Sequence, residues 1–110
     1  MTIQGVELHL DIFDADTAEA FETQLERVRQ AAEASAAMKP SQAIRAQCQA
    51  VYDCFDALFG EDARREIFGE TVNLRECLSA FGALVQGASA QRDEVTQLMA
   101  QYAPQRVARA

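Results

Sequence analysis

A chain of 110 residues, 49% of them apolar, is long enough for one modest core and too apolar to be disordered by composition. Its formal charge of −7 sits mostly at the front, where residues 1 to 38 hold eight acids against Arg27 and Arg29, so it repels phosphate backbones and disfavours ordinary nucleic-acid binding. No apolar run approaches the roughly 20 residues of a membrane span, "MTIQGVELHL" lacks the basic flank and apolar centre of an export signal, and three cysteines match no disulfide framework, which together lead to the expectation of a cytoplasmic protein.

Val6, Leu8, Leu10 and Ile12 alternate with Glu7, His9, Asp11 and Phe13, a period of two that predicts a half-buried strand over 6–13. Gly5 can turn Thr2 and Ile3 back onto it as a hairpin. A single strand or hairpin is not stable alone in water. Its edge either lies hidden against the first helix or stays open and adds to another chain's sheet. On the second alternative, Val6, Leu8, His9 and Leu10 are candidate partner-binding residues, and a homodimer through this strand is expected.

Asp16 followed by Glu19 fits a capping box, and Phe21, Leu25, Val28 and Ala32 recur at helical spacing, so a helix is predicted over about 17–36. Glu19, Glu22, Glu26 and Glu33 share one of its faces. Such a row is usually a solvated surface; as a recognition face it would meet a neutral or basic partner, which makes Glu19, Glu22 and Glu26 further partner-binding candidates.

Pro40 and Ser41 read as a break and a new cap. The next helix, about 42–59, carries Ile44, Cys48, Val51, Phe55 and Leu58 on one stripe and stops at Gly60. A short helix over 62–68 closes at Gly69. Asn73 and Glu76 make another capping pair, opening a helix whose stripe runs through Leu74, Leu78, Phe81, Val85 and Ala88 to Val95, Met99 and Tyr102. One helix over 73–102 and a kink or break near Gly87 are both compatible with this pattern. Pro104 ends it, leaving 104–110 as a frayed tail on a single domain of 1–103. The expected fold is mainly α with a short N-terminal β-strand or hairpin, three to four helices forming a small bundle. Its expected core is Phe21, Leu25, Val28, Ile44, Cys48, Val51, Phe55, Leu58, Phe68, Leu74, Leu78, Phe81 and Val85.

The stretch "VYDCFDALFGEDARREIFG" concentrates the residue types that carry chemistry, yet their spacing is wrong for it. Cys48 and Cys54 lie about 240° apart on a helix and cannot share a metal as a CxxC pair does. Cys48 falls on the apolar stripe as a small hydrophobe, and Cys54, off the stripe, is expected to be less buried. Asp53, Asp56 and Asp62 lack the alternation of a calcium loop. His9 is the sole histidine, and no nucleophile elbow or phosphate-cradling glycine loop accompanies it. No catalytic, cofactor-binding or metal-binding residue is assigned, no cofactor is expected, and the protein is expected not to be an enzyme.

The segments "GVELHLDIFDADTAEAFE", "IRAQCQAVYDCFDALFGEDARREIFG", "NLRECLSAFGALV" and "YAPQR" together resemble a family of small prophage-encoded proteins of unknown function from Gram-positive bacteria, over about Gly5 to Arg106. The block from Ile44 to Gly69 is its most specific element. This chain departs from the family at Glu61 and Asp62, where a second glycine is usual just after the first Phe-Gly. The resemblance implies a place among phage tail morphogenesis genes. By analogy it implies a role like that of tail assembly chaperones, which bind the tape-measure protein and tail-tube subunits. It supplies no catalytic residues. Two other functions stand as alternatives, their phage setting being what the resemblance implies: an acidic phage inhibitor that mimics nucleic acid through Glu19, Glu22, Glu26 and Glu33, and a minor structural protein of the virion.

Overall fold

Gln4 and Gly5 both take positive φ, 51° and 78°, and so form the two-residue turn whose twist matches paired strands. The turn joins β1 (Thr2–Ile3) to β2 (Val6–Glu7) in an antiparallel hairpin, Ile3 opposite Val6 and Thr2 opposite Glu7. One more pair follows it: Leu8 N–H donates to the Met1 carbonyl at 2.7 Å, and the Met1 amine donates to the Leu8 carbonyl at 2.8 Å. In this computed structural model, which describes residues 1–102, the ladder stops there. The predicted strand of 6–13 is therefore a strand only at its start. Its alternation persists, with Leu8, Leu10 and Ile12 buried between exposed Glu7, His9 and Asp11. What replaces the missing neighbour is a side chain, the amide of Gln91, which bonds both Leu10 and Ile12.

The first helix, α1 (Ala15–Ser35), starts two residues before the predicted position. Asp14, not Asp16, is the cap, and its carboxylate accepts from Thr17 N–H at 3.0 Å. That bond holds the Asp14 carboxyl below the usual carboxylate range. The buried face of α1 is Phe21, Gln24, Val28 and Ser35; Leu25 is half-buried and Ala32 exposed, so the apolar stripe is rotated from the predicted one.

Pro40 follows the expected break, which lies at 36–39. It opens α2 (Pro40–Phe59) at the first helical position, where a missing N–H costs nothing, and Ser41 lies inside the helix. This helix packs against α1, α3 (Glu61–Phe68) and α4 (Leu74–Tyr102). Three neighbours demand a wide buried arc: Cys48, Val51, Tyr52, Cys54 and Phe55 are all enclosed. Cys54 is as inaccessible as Cys48, contrary to the single-stripe expectation. Phe55 meets Phe68 edge-on at 5.2 Å and Phe59 at 5.7 Å between ring centres. Tyr52 packs against Phe68 with the rings tilted at 58° and 5.0 Å between centres, and it donates its hydroxyl to the Thr71 carbonyl at 2.7 Å, which ties down the connection into α4.

Asn73 caps α4, its side-chain oxygen accepting from Glu76 N–H at 3.1 Å. The helix then runs unbroken for 29 residues through Gly82 and Gly87. Gly87 is where Met1 crosses it: a Cβ there would lie 2.8 Å from the Met1 methyl. The inward face is Cys77, Ala80, Leu84 and Ala88. Leu74, Phe81 and Val85 are only half-buried and Leu78 is 44% exposed, a correction to the predicted core that follows from the same rotation of the stripe. Pro104 and the predicted tail of 104–110 lie outside the described residues. Among the described residues no helix is long and apolar enough to cross a membrane.

Candidate partner-binding surface

The residues singled out in the sequence divide between two places. Val6, Leu8, His9 and Leu10 belong to the hairpin end, where a shallow depression runs between Val6, Leu8 and His9 on one side and Leu58, Phe59 and Ala63 on the other. Leu8 and Leu10 are 6% exposed, so their side chains serve the core and cannot be grasped by a partner. His9 is exposed. Because Met1 and Leu8 form the bonded pair, antiparallel geometry turns the backbone N–H and C=O of Glu7 and His9 away from β1. Among the described residues no protein group bonds the backbone of His9. This outer edge is short and framed by the carboxylates of Glu7 and Asp11, two of the devices that keep an edge from pairing freely.

Glu19, Glu22 and Glu26 line the outer flank of α1 with Arg27 and Gln30. They are not equivalent. Arg29 bridges Glu26 and Glu33, donating Nε to Glu26 at 2.9 Å and its two terminal nitrogens to Glu26 and Glu33. The guanidinium holds the Glu26 carboxyl below its ordinary value. Glu19 and Glu22 have no ion pair among the described residues.

Glu22 also stands at the rim of a third feature. Between the start of α1 and the second half of α4 lies a cavity of about 280 Å³, floored by Ile12 and walled by Ala18, Phe21, Ala88 and Val95, with Glu22 and Arg92 at its mouth. It exists because the inward stripe of α4 outlasts the body of the protein. The spacing Cys77, Ala80, Leu84, Ala88 continues as Gln91, Val95 and Leu98 beside Met99, yet Leu98 and Met99 are 43% and 60% exposed. A 29-residue helix spans roughly 44 Å at 1.5 Å per residue, against roughly 30 Å for the 20-residue α2 on which it packs. The excess carries large apolar side chains, Leu98 and Met99, that stay exposed. The expected core ends at Val85, and the continuation of the stripe through Val95 and Met99 is given no surface role. The signal available was length, since an apolar period longer than any partner helix must end uncovered.

Burial pushes the Cys48 thiol up to about 12, with the neighbouring Cys77 thiol adding to it, and burial alone does the same for Cys54. A thiol that stays protonated and inaccessible is neither a nucleophile nor a metal ligand. Among the described residues no three His, Cys, Asp or Glu side chains group as a metal site.

Residues 4–110 match the model of a family of unknown function (DUF6673), and the chain belongs to that family. No curated protein and no solved structure matches it at a significant level.

Proposed function

We propose that this member of a family of unknown function is a non-enzymatic binding protein, carried on a prophage, that holds phage tail structural proteins before assembly in the manner of a tail assembly chaperone. The observation that supports binding is the end of α4: Val95, Leu98 and Met99 extend a core-facing stripe past the core, where exposed large apolar groups mark interaction sites. The acidic front third keeps a protein with such a surface soluble. The phage setting and the client, a tape-measure or tail-tube subunit, rest on the resemblance of the motif blocks from Gly5 to Arg106. A homodimer through the outer edge at Glu7 and His9 is the accompanying proposal for self-association. The deciding experiment is co-expression with the neighbouring tape-measure or tube gene. The client is expected to gain solubility and co-purify; a client that does neither removes the chaperone reading.

The nucleic-acid mimic draws less support. Two acids of its phosphate track, Glu26 and Glu33, are occupied by Arg29, leaving Glu19 and Glu22 as the unpaired pair.

A further inference from the structure

We infer that the lane between α1 and α4 receives a basic amphipathic helix of the partner, its apolar side against Val95, Leu98 and Met99 and its lysines or arginines against Glu19 and Glu22. The inference rests on the reading of the protein as a partner binder and specifies the site and the chemistry it selects.

Three observations carry it. The apolar stripe of α4 passes from Val95, which lines the cavity, to the exposed Leu98 and Met99. From Val95 to Met99 it runs roughly 6 Å at 1.5 Å per residue, about one turn, against which apolar groups at i, i+3 and i+4 of a docked helix can pack. Its α1 rim is negative: Glu22 stands at the cavity mouth, Glu19 one turn before it, and neither is paired within the described chain. The rim therefore selects the flanking charge of what enters. Arg92, at the same mouth, is the only base of α4 between Ala88 and Tyr102 and is followed at once by Asp93 and Glu94.

The same charges argue against a second copy of this chain as the occupant. None of α1, α2, α3 or α4 has a net positive charge, so any of them laid in the lane would bring acids against Glu19 and Glu22. The complementary helix is therefore not one of the described helices of this chain.

The test uses the full-length protein and three fluorescein-labelled peptides of about 12 residues. One is a leucine–lysine helix with its leucines on one face, one replaces every lysine by glutamate, and one keeps the leucine–lysine composition but scatters the leucines around the helix. Fluorescence anisotropy is expected to show the amphipathic leucine–lysine peptide binding at least ~10-fold tighter than either control. Met99→Asp and the pair Glu19→Lys with Glu22→Lys should each weaken it ~10-fold or more, while Glu70→Lys, an exposed acid on the connection before α4, should not. Met99 is largely exposed and both glutamates are surface groups, so these variants fold, and circular dichroism verifies it. Equal binding of the glutamate peptide, or equal losses with the Glu19→Lys and Glu22→Lys pair and with Glu70→Lys, overturns the charge selection. Insensitivity to Met99→Asp overturns the lane. Sedimentation of the wild type reports a dimer lost in Met99→Asp if a second copy is the occupant, which likewise refutes the inference. Co-expression separates this from the underlying reading: a client that still co-purifies with Met99→Asp leaves the binding function standing and removes only this site.

Discussion

The side-chain amide of Gln91 donates to the carbonyl of Leu10 at 2.7 Å and accepts from Ile12 N–H at 2.8 Å, so one residue of α4 does for the extended segment what a neighbouring strand would do. The segment of 8–12 needs no second strand on that side, because its inward-facing backbone groups are already satisfied. Gln91→Ala should leave both partly buried groups wanting, at a cost of ~1–3 kcal/mol after water reaches one of them. Urea denaturation gives the loss, and hydrogen exchange should speed at Ile12 before the helices are touched. An unchanged midpoint would show that the hairpin end is held by Ile3, Leu8 and Leu10 alone.

Phe55 is fully enclosed and touches both Phe59 and Phe68, so Phe55→Ala should destabilise by ~3–5 kcal/mol, a large share of the ~5–15 kcal/mol a domain of this size holds. Leu78→Ala should cost ~0.5 kcal/mol or less, since that side chain is near half exposed despite its place on the predicted stripe. Thermal melts of the two variants decide the rotation of α4; comparable losses would restore the original stripe.

Cys48, Cys54 and Cys77 should all resist alkylation in the folded protein and react once it is unfolded. Their burial also sets a pH dependence. Cys48 and Cys54 are pushed up from 9.0 to about 12 in the fold, so the unfolded chain loses thiol protons first and stability should fall as pH rises from about 9 toward 12. Cys54→Ser should be as damaging as Cys48→Ser, because each places a hydroxyl in a fully enclosed site. A mild effect at Cys54 alone would mean that α2 buries a narrower arc.

Any dimer built on the hairpin must use the outer edge, and this decides which proline is informative. Leu8→Pro removes the bond from Leu8 N–H to Met1 on the inner side and a buried side chain, so it should unravel the hairpin whatever the oligomeric state. His9→Pro removes only an outward N–H and should abolish concentration-dependent association with the helices intact. Light scattering on wild type and His9→Pro reads the difference. Identical traces would leave Glu7, His9 and Asp11 as a blunted edge.

Two glycines of α4 should part company on substitution. A Cβ at Gly82 meets nothing within 4 Å, so Gly82→Ala should gain the ~0.5–1 kcal/mol of better helix propensity. At Gly87 the same Cβ would press on the Met1 thioether at 2.8 Å, and Gly87→Ala should gain less than Gly82→Ala or lose stability as Met1 is displaced. Matched gains would place Met1 off the helix in solution.

The number and order of the helices, the hairpin turn at Gly5, the cap at Asn73 and the stops at Gly60 and Gly69 were legible in the residues, because each depends on neighbours within a few positions of the chain. The inward phase of Leu8, Leu10 and Ile12 was legible for the same reason. What the tertiary structure decided depends on which elements meet. Three helices crowd α2 and bury Cys54 and Tyr52, which no single stripe includes. The rotation of α4 exposes Leu78, although apolar spacing alone gave it the same standing as Leu74 and Phe81. Gln91, a polar residue within a helical pattern, becomes the partner of a segment about eighty positions away, a pairing no local period encodes. Likewise Val95, Leu98 and Met99 obey the same helical period as Leu84 and Ala88, and only the reach of the packed body separates core from open surface. Periodicity sets which face of a helix is apolar; burial is a property of the pair of surfaces that meet, and the second surface lies elsewhere in the chain or outside it.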